Sequence, residues 1–181
     1  MGKSVAEVGA GCGNFTKMLL KTALENLVAY EPSLQIFPML TASIEGESRV
    51  EAINEFFGAG SAGGFDSILY INVLEHIEND KAELAIMRDK LVPDGHVLIF
   101  VPALPALFSD FDKSIGHYRR YRKVQLADTL RENGFSIEKI KYFDCAGILP
   151  WYLNFVLLKK TLCGNHVSLY DKIVIPVMRR L

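Results

Sequence analysis

The chain has 181 residues, half of them hydrophobic, with 20 basic and 21 acidic side chains and a net charge of −1. That suffices for one domain with a sizeable core and offers no global basic field to draw in nucleic acid. Cys12, Cys145 and Cys163 have no paired spacing, which predicts neither a disulfide framework nor a metal site and suits a cytoplasmic protein.

Met1-Gly2-Lys3 leads straight into a predicted first strand, with no signal peptide. That strand, Ser4 to Val8, carries Glu7 near its end and runs into Gly9-Ala10-Gly11-Cys12-Gly13. A helical pattern follows, with Phe15, Met18, Leu19, Thr22 and Ala23 on one face. A glycine turn between strand and helix lets a ligand lie against the main chain. A dinucleotide turn wants a third glycine where Asn14 stands. Cys12 fills a variable slot of the turn.

Asn26 to Tyr30 is a second short strand, followed by Glu31 and Pro32. A carboxylate there, ~20 residues after the glycine turn, can accept both hydroxyls of a ribose. A short helix reaches about Leu40, and Arg49 to Asn54 is a third strand. Gly58 to Gly64 is a flexible connector. The fourth strand, Phe65 to Ile71, ends at Asn72-Val73-Leu74-Glu75-His76-Ile77. In a doubly wound sheet that end lies beside the glycine turn.

Asn79 or Asp80 caps a helix to about Leu91, Pro93-Asp94-Gly95 is a turn, and His96 to Pro102 is a fifth strand. Val124 to Asn133 is a helix closed by Gly134, and the alternation from Phe135 to Phe143 predicts a sixth strand. Strands alternating with helices mean an α/β, doubly wound, mostly parallel sheet.

The pattern Glu-x-Gly-x-Gly-x-Gly from Glu7 to Gly13, with Glu31 at the second strand end and Asn-Val-Leu-Glu-His-Ile from Asn72, resembles the class I S-adenosylmethionine-dependent methyltransferases. The likeness is to the branch acting on small molecules and lipids, and it covers residues 4 to 143. It implies a Rossmann-like sheet and S-adenosylmethionine as cofactor. Glu7 would read its cationic methionine end. Gly9, Ala10, Gly11 and Gly13 would cradle it, Glu31 and Pro32 would take the ribose, and Asn54, Asn72 and Val73 would complete the site. The family's polar pair at the third strand end is Asn54-Glu55 here, followed by Phe56-Phe57. The family also has a helix before the first strand and a seventh strand. Neither is evident, and Ile173 to Val177 is spoiled for a central strand by Pro176. The abrupt start is that of a fragment or a short variant.

One methyltransferase domain, 1–181, is therefore expected, with 102–122 as a substrate-side loop and 144–181 as a lid or tail. The loop holds Gly116-His117-Tyr118-Arg119-Arg120-Tyr121, similar to a run in bacterial enzymes of this class. His117, Tyr118, Arg119 and Tyr121 are candidates for the acceptor site, with a solvated helix-leading stretch as the plain alternative. His117 or His76 is the candidate base. Residues 148–160 are apolar with a basic end, and fit a lid, a peripheral membrane contact, a helix packed on the core or a homodimer interface. The expected activity is methyl transfer to a small-molecule or lipid-like acceptor. A non-catalytic partner with the same fold and a nicotinamide-dependent oxidoreductase are the alternatives.

Overall fold

A computed structural model of the protein describes residues 2–143 and 145–159. The described residues form two compact units. One comprises residues up to Val101 with Asn133–Phe135, and the other comprises Pro102–Glu132 with the residues from Ser136 onward.

The first unit is built on five parallel strands in the order β3-β2-β1-β4-β5. They are β1 (Ser4–Val8), β2 (Asn26–Tyr30), β3 (Val50–Ile53), β4 (Phe65–Ile71) and β5 (Leu91–Phe100). Helices α1 (Asn14–Leu19), α2 (Phe37–Ser43) and α3 (Asp80–Lys90) connect them. The chain winds outward from β1 to β3, then crosses back to β4 beside β1. This reversal is the switch point where doubly wound sheets bind ligands. Both faces must be covered, so the central strands are buried along almost their whole length rather than at alternate residues. Val5, Leu27 and Leu69 meet Leu19 and Leu24 on one side of the sheet. Ala29 packs with Ala10, Leu40 and Ile44. Tyr30 stands edge-on to Phe57, and Phe57 to Tyr70. The Tyr70 hydroxyl donates to Glu83 on α3.

Several boundaries move. Helix α1 ends at Leu19, so Met18, Thr22 and Ala23 are exposed, and Thr16 is the residue buried with Leu19. Asn79 does cap α3, its Oδ1 accepting from the Ala82 amide at 3.1 Å. The turn predicted at Pro93–Gly95 lies inside β5. Phe65 pairs with Leu91 and Ser67 with His96, so the intervening residues bulge out of the ladder.

The second unit contains α4 (Asp110–Ser114), α5 (Lys123–Glu132), α6 (Ile148–Trp151) and a π-helical continuation, Tyr152–Leu157. Its start is stapled by a bridge between Ala103 and Tyr121, the Tyr121 amide donating to the Pro102 carbonyl at 2.9 Å. The sixth strand expected at Phe135–Phe143 does not form among the described residues. Phe135 and Ile137 are half-buried and Ser136 and Glu138 exposed, but the alternation stops there, with Lys139 and 141–143 exposed. It has no ladder partner, and alternation without one does not make a strand. The apolar run at 173–177, His166, Cys163 and Lys160 lie outside the described residues. Among those described, no helix is long and apolar enough to cross a membrane.

Candidate functional site

The carboxyl ends of β1, β2 and β4 converge on the glycine turn. Gly9, Gly11 and Gly13 all have positive φ, 72°, 57° and 80°. The turn is tied down from the β2 side, since the Gly9 and Ala10 amides both donate to the Tyr30 carbonyl, at 2.9 and 3.0 Å. The three glycines serve different ends. A Cβ at Gly9 would lie 2.5 Å from Val73 Cγ2, and one at Gly13 2.0 Å from Ser43 Oγ. At Gly11 it would meet nothing within 4 Å. Gly9 and Gly13 are thus glycines because protein packs against them, while Gly11 faces open space. An open cradle over a left-handed backbone is where a ligand lies against the main chain.

Glu31 stands at this cradle. Its Oε2 accepts from the Gly11 amide at 2.8 Å and its Oε1 from the Ser33 amide at 2.8 Å. An ionised carboxylate has about four acceptor positions. Two are used by backbone, and two remain for donors such as a vicinal diol. Asn54 supports the same corner, its Nδ2 donating to the Glu31 carbonyl at 2.7 Å. Asn54 therefore ties the ends of β3 and β2 together. Pro32 follows, half-buried. On the opposite flank Asn72 has φ 54°, a conformation asparagine tolerates better than most residues, and its amide donates to the Phe100 carbonyl at 2.9 Å. Val73 presses on Gly9. Cys12 Sγ lies 3.8 Å from Met39 Sδ, in keeping with a filler role.

Glu7 is placed differently from the expectation. Its side chain is 3% exposed and Oε2 accepts from the Thr16 hydroxyl at 2.7 Å. The carboxyl joins β1 to α1 beneath the turn instead of reaching out to a cation. Burial pushes it up to about 7, the Thr16 bond opposing the shift. A folded value of about 7 against 4.5 makes its contribution fully present below pH 4.5 and lost as pH rises through 7. The loss amounts to about 3 kcal/mol at 1.36 kcal/mol per unit. Urea unfolding between pH 5 and 8 should therefore fall more steeply for the parent than for Glu7→Gln, which stays neutral throughout. Parallel curves for the two proteins would remove Glu7 as the cause.

In the second unit, His117 is mostly buried and its Nδ1 lies 3.0 Å from Asp112 Oδ1. Tyr118 is exposed, with the Arg119 guanidinium 5.9 Å from its ring centre. Tyr121 is only 3% exposed. Its backbone closes the segment onto Pro102, its amide donating to the Pro102 carbonyl at 2.9 Å, a structural task that the sequence reading did not give it. His76 ends a single 3-10 turn, Leu74–His76, and is exposed.

Asp112, Arg120, Ser109 and Trp151 form a cluster that the sequence reading passed over. Two signals were available: Ser109-x-x-Asp112 is a capping-box spacing, and Asp112 precedes His117 by five residues. Trp151 lies in the apolar run 148–160, for which a peripheral membrane contact is one of the expected uses. Instead it is turned inward, its Nε1 donating to the Leu107 carbonyl at 3.1 Å and its ring packing on Phe111 and Phe155. Leu149, Tyr152, Leu153, Leu157 and Leu158 remain exposed.

A family model of the methyltransferase domain matches residues 1–140. Among curated proteins, the chain is similar to a ubiquinone biosynthesis O-methyltransferase of Xanthomonas axonopodis pv. citri. The two are 25% identical over 174 residues, covering 83% of this chain and 68% of the relative. Among solved structures, an S-adenosylmethionine dependent methyltransferase from Mesorhizobium loti has a TM-score of 0.65 at 15% identity, covering 81% of each chain. The N-methyltransferase NodS of Bradyrhizobium japonicum, in complex with S-adenosylhomocysteine, has a TM-score of 0.58 at 20% identity, covering 71% of this chain and 63% of that one. The chain spans less than two thirds of the length of several solved structures it matches.

Proposed function

The chain belongs to the family of class I S-adenosylmethionine-dependent methyltransferases, and from that premise we propose that it transfers a methyl group to a small-molecule or lipid-like acceptor by in-line displacement. The observation that carries this reading is the open cradle at Gly11 with the Glu31 carboxylate hydrogen-bonded to its amide. Bound there, S-adenosylmethionine supplies a methyl group on a cationic sulfur. Gly11 admits it against the backbone, and Glu31 accepts from its hydroxyls. Ala10, Pro32, Asn54, Asn72 and Val73 shape the rest of the pocket, and Glu7 supports it from below.

The acceptor side is assigned by chain order to the segment that leaves the carboxyl end of β5. Tyr118 and Arg119 offer an aromatic surface and a cation, and His117 takes the proton of the acceptor; His76 is the second candidate base. A base is needed where the nucleophile is a hydroxyl, and a hydroxyl acceptor agrees with the O-methyltransferase relative. The exposed apolar row from Leu149 to Leu158 supports a lipid-like acceptor met at a membrane surface, and leaves a homodimer as the other use of that row.

Isothermal calorimetry with S-adenosylhomocysteine and, separately, NAD tests the cofactor. We expect micromolar binding of the first and none of the second. Binding of NAD alone would make the chain an oxidoreductase, and binding of neither would leave a partner or scaffold. Incubation with methyl-labelled donor and either a lipid extract or a soluble extract then distinguishes the acceptor classes. Label entering only the soluble fraction would overturn the lipid reading.

A further inference from the structure

The net charge of −1 conceals a division between the two units. The first carries 7 basic and 14 acidic side chains, which leaves 13 of the chain's 20 basic and 7 of its 21 acidic ones to the second. The first unit is thus acidic by 7 charges and the second basic by 6. Such asymmetry within one chain directs its basic part to an anionic surface.

The basic unit also presents an apolar row. The four residues of α6 and the six of its π-helical continuation have two faces. Trp151 and Phe155 turn in and pack with Phe111, ring centres 4.6 to 5.8 Å apart. Leu149, Tyr152, Leu153, Leu157 and Leu158 turn away and are 42–65% exposed. Single exposed leucines are ordinary, but five large apolar side chains along one short helix are a patch that calls for a partner. A helix of this length is too short to cross a bilayer and long enough to lie along one. Lys159 follows the row. With Lys113 of α4 it borders a cavity of about 160 Å3 whose apolar wall is Phe108, Phe155 and Val156. Asp110 borders it too and pairs with Lys113 at 3.5 Å, both side chains about two-thirds exposed. An exposed pair of that length contributes little, so a phosphate can replace Asp110 at small cost.

We propose that the second unit docks on anionic phospholipid bilayers, the leucine row entering the headgroup boundary and Lys113 and Lys159 pairing with headgroup phosphates. The proposal rests on the lipid reading of the acceptor and deepens it by naming the surface at which that acceptor is met. Two ammonium groups beside an apolar wall suit a phospholipid, which offers a phosphate and an acyl chain together. Lysine stems can lie along the apolar layer while their heads stay at phosphate depth. A nucleic acid would satisfy the charge and leave the leucines in water. A second copy meeting row to row would cover the leucines but bring an equally basic unit against this one.

Co-sedimentation of the full chain with vesicles tests this, without cofactor or acceptor. One set is phosphatidylcholine alone, the other equal parts phosphatidylcholine and phosphatidylglycerol. The parent should sediment with the mixed vesicles, stay in solution with the neutral ones and be released by salt. Leu157→Glu combined with Leu158→Glu should lower the partition at least about tenfold. Lys113→Gln and Lys159→Gln should each lower it about fivefold. All four side chains are exposed, so circular dichroism should match the parent. Absence of the parent from both pellets overturns the proposal without any variant having to fold, and so does equal binding to both vesicles. Parent-like binding by the folded leucine variant does so as well. A dimer in light scattering that the leucine variant dissolves, with no vesicle binding, would give the row to a second copy. Oligonucleotide binding in place of vesicle binding would make the basic unit a nucleic-acid surface. Failure of docking leaves methyl transfer to be judged by calorimetry and turnover. Failure of the lipid-acceptor reading shows separately, as label confined to the soluble fraction while vesicles are still bound.

Discussion

Gly11→Val should abolish binding of S-adenosylhomocysteine while leaving a folded protein, and Gly13→Ala should unfold the protein more than it disturbs the open cradle. Sequence spacing treats these glycines as equivalent, but their surroundings do not. At Gly11 nothing within 4 Å meets an added Cβ, so the fold bears only the cost of a left-handed φ of 57°. That cost is about 1–2 kcal/mol, somewhat more for a β-branched residue. The new side chain then fills the space left for the ligand. We expect an affinity loss of at least about a hundredfold, or roughly 2.7 kcal/mol. At Gly13 the added carbon meets Ser43 Oγ at 2.0 Å and Leu40 Cδ1 at 3.2 Å, with φ at 80°. Ser43 must turn and Leu40 must yield. Overpacking of about 1–3 kcal/mol adds to the backbone strain. Thermal melts and calorimetry on both variants check the contrast. A folded Gly11→Val protein with affinity within about threefold of the parent would remove this turn as the cofactor site.

Glu31→Gln should weaken S-adenosylhomocysteine by at least about tenfold, and Glu31→Ala by more. The carboxylate does two things at once. It accepts the Gly11 and Ser33 amides, one on each oxygen, and so sets the shape of the cradle. On the proposed reading its remaining acceptor positions are the ones that would take the ligand's hydroxyls. Hydrogen bonds to a charged group are worth roughly 1.5–3 kcal/mol each. Glutamine keeps one oxygen but turns an NH2 toward a backbone N–H, so donor faces donor. Alanine frees both amides and removes every ligand contact. Gly11 and Ser33 are half-buried, so water can reach them, and the loss of stability should stay near 1 kcal/mol per amide. Affinity for Glu31→Gln within about twofold of the parent would confine Glu31 to shaping the turn.

Much of the first unit was legible in the linear sequence because its signals are local. A glycine turn between an apolar strand and a helix, a second strand ending in an acid, Asn79 at a helix start and Gly134 at a helix end depend on a few neighbouring residues. The strands β1, β2 and β4 could be placed on those grounds, and with them the cradle. What needed the folded chain were directions and partners. Glu7 and Glu31 look alike as strand-end acids, yet one turns under α1 to Thr16 and the other meets an amide across 20 residues of sequence. Alternation from Phe135 to Phe143 suggested a strand, but beyond Ile137 the pattern of burial fails and no hydrogen-bonded neighbour is supplied among the described residues. The apolar run that holds Trp151 is equally compatible with a membrane contact and with a packed helix, and only the fold shows its ring against Arg120 and Phe111, more than thirty residues away in the chain. Asp112 passed unnoticed because a single aspartate in a polar run carries no periodicity. Its importance comes from burial together with Ser109, His117 and Arg120, since buried charge must find its partners in three dimensions. Sequence by itself determined the order of the elements and the glycine cradle. Tertiary structure alone decided which glycine faces open space, which acid faces the core and which nitrogen of His117 lies against a carboxylate.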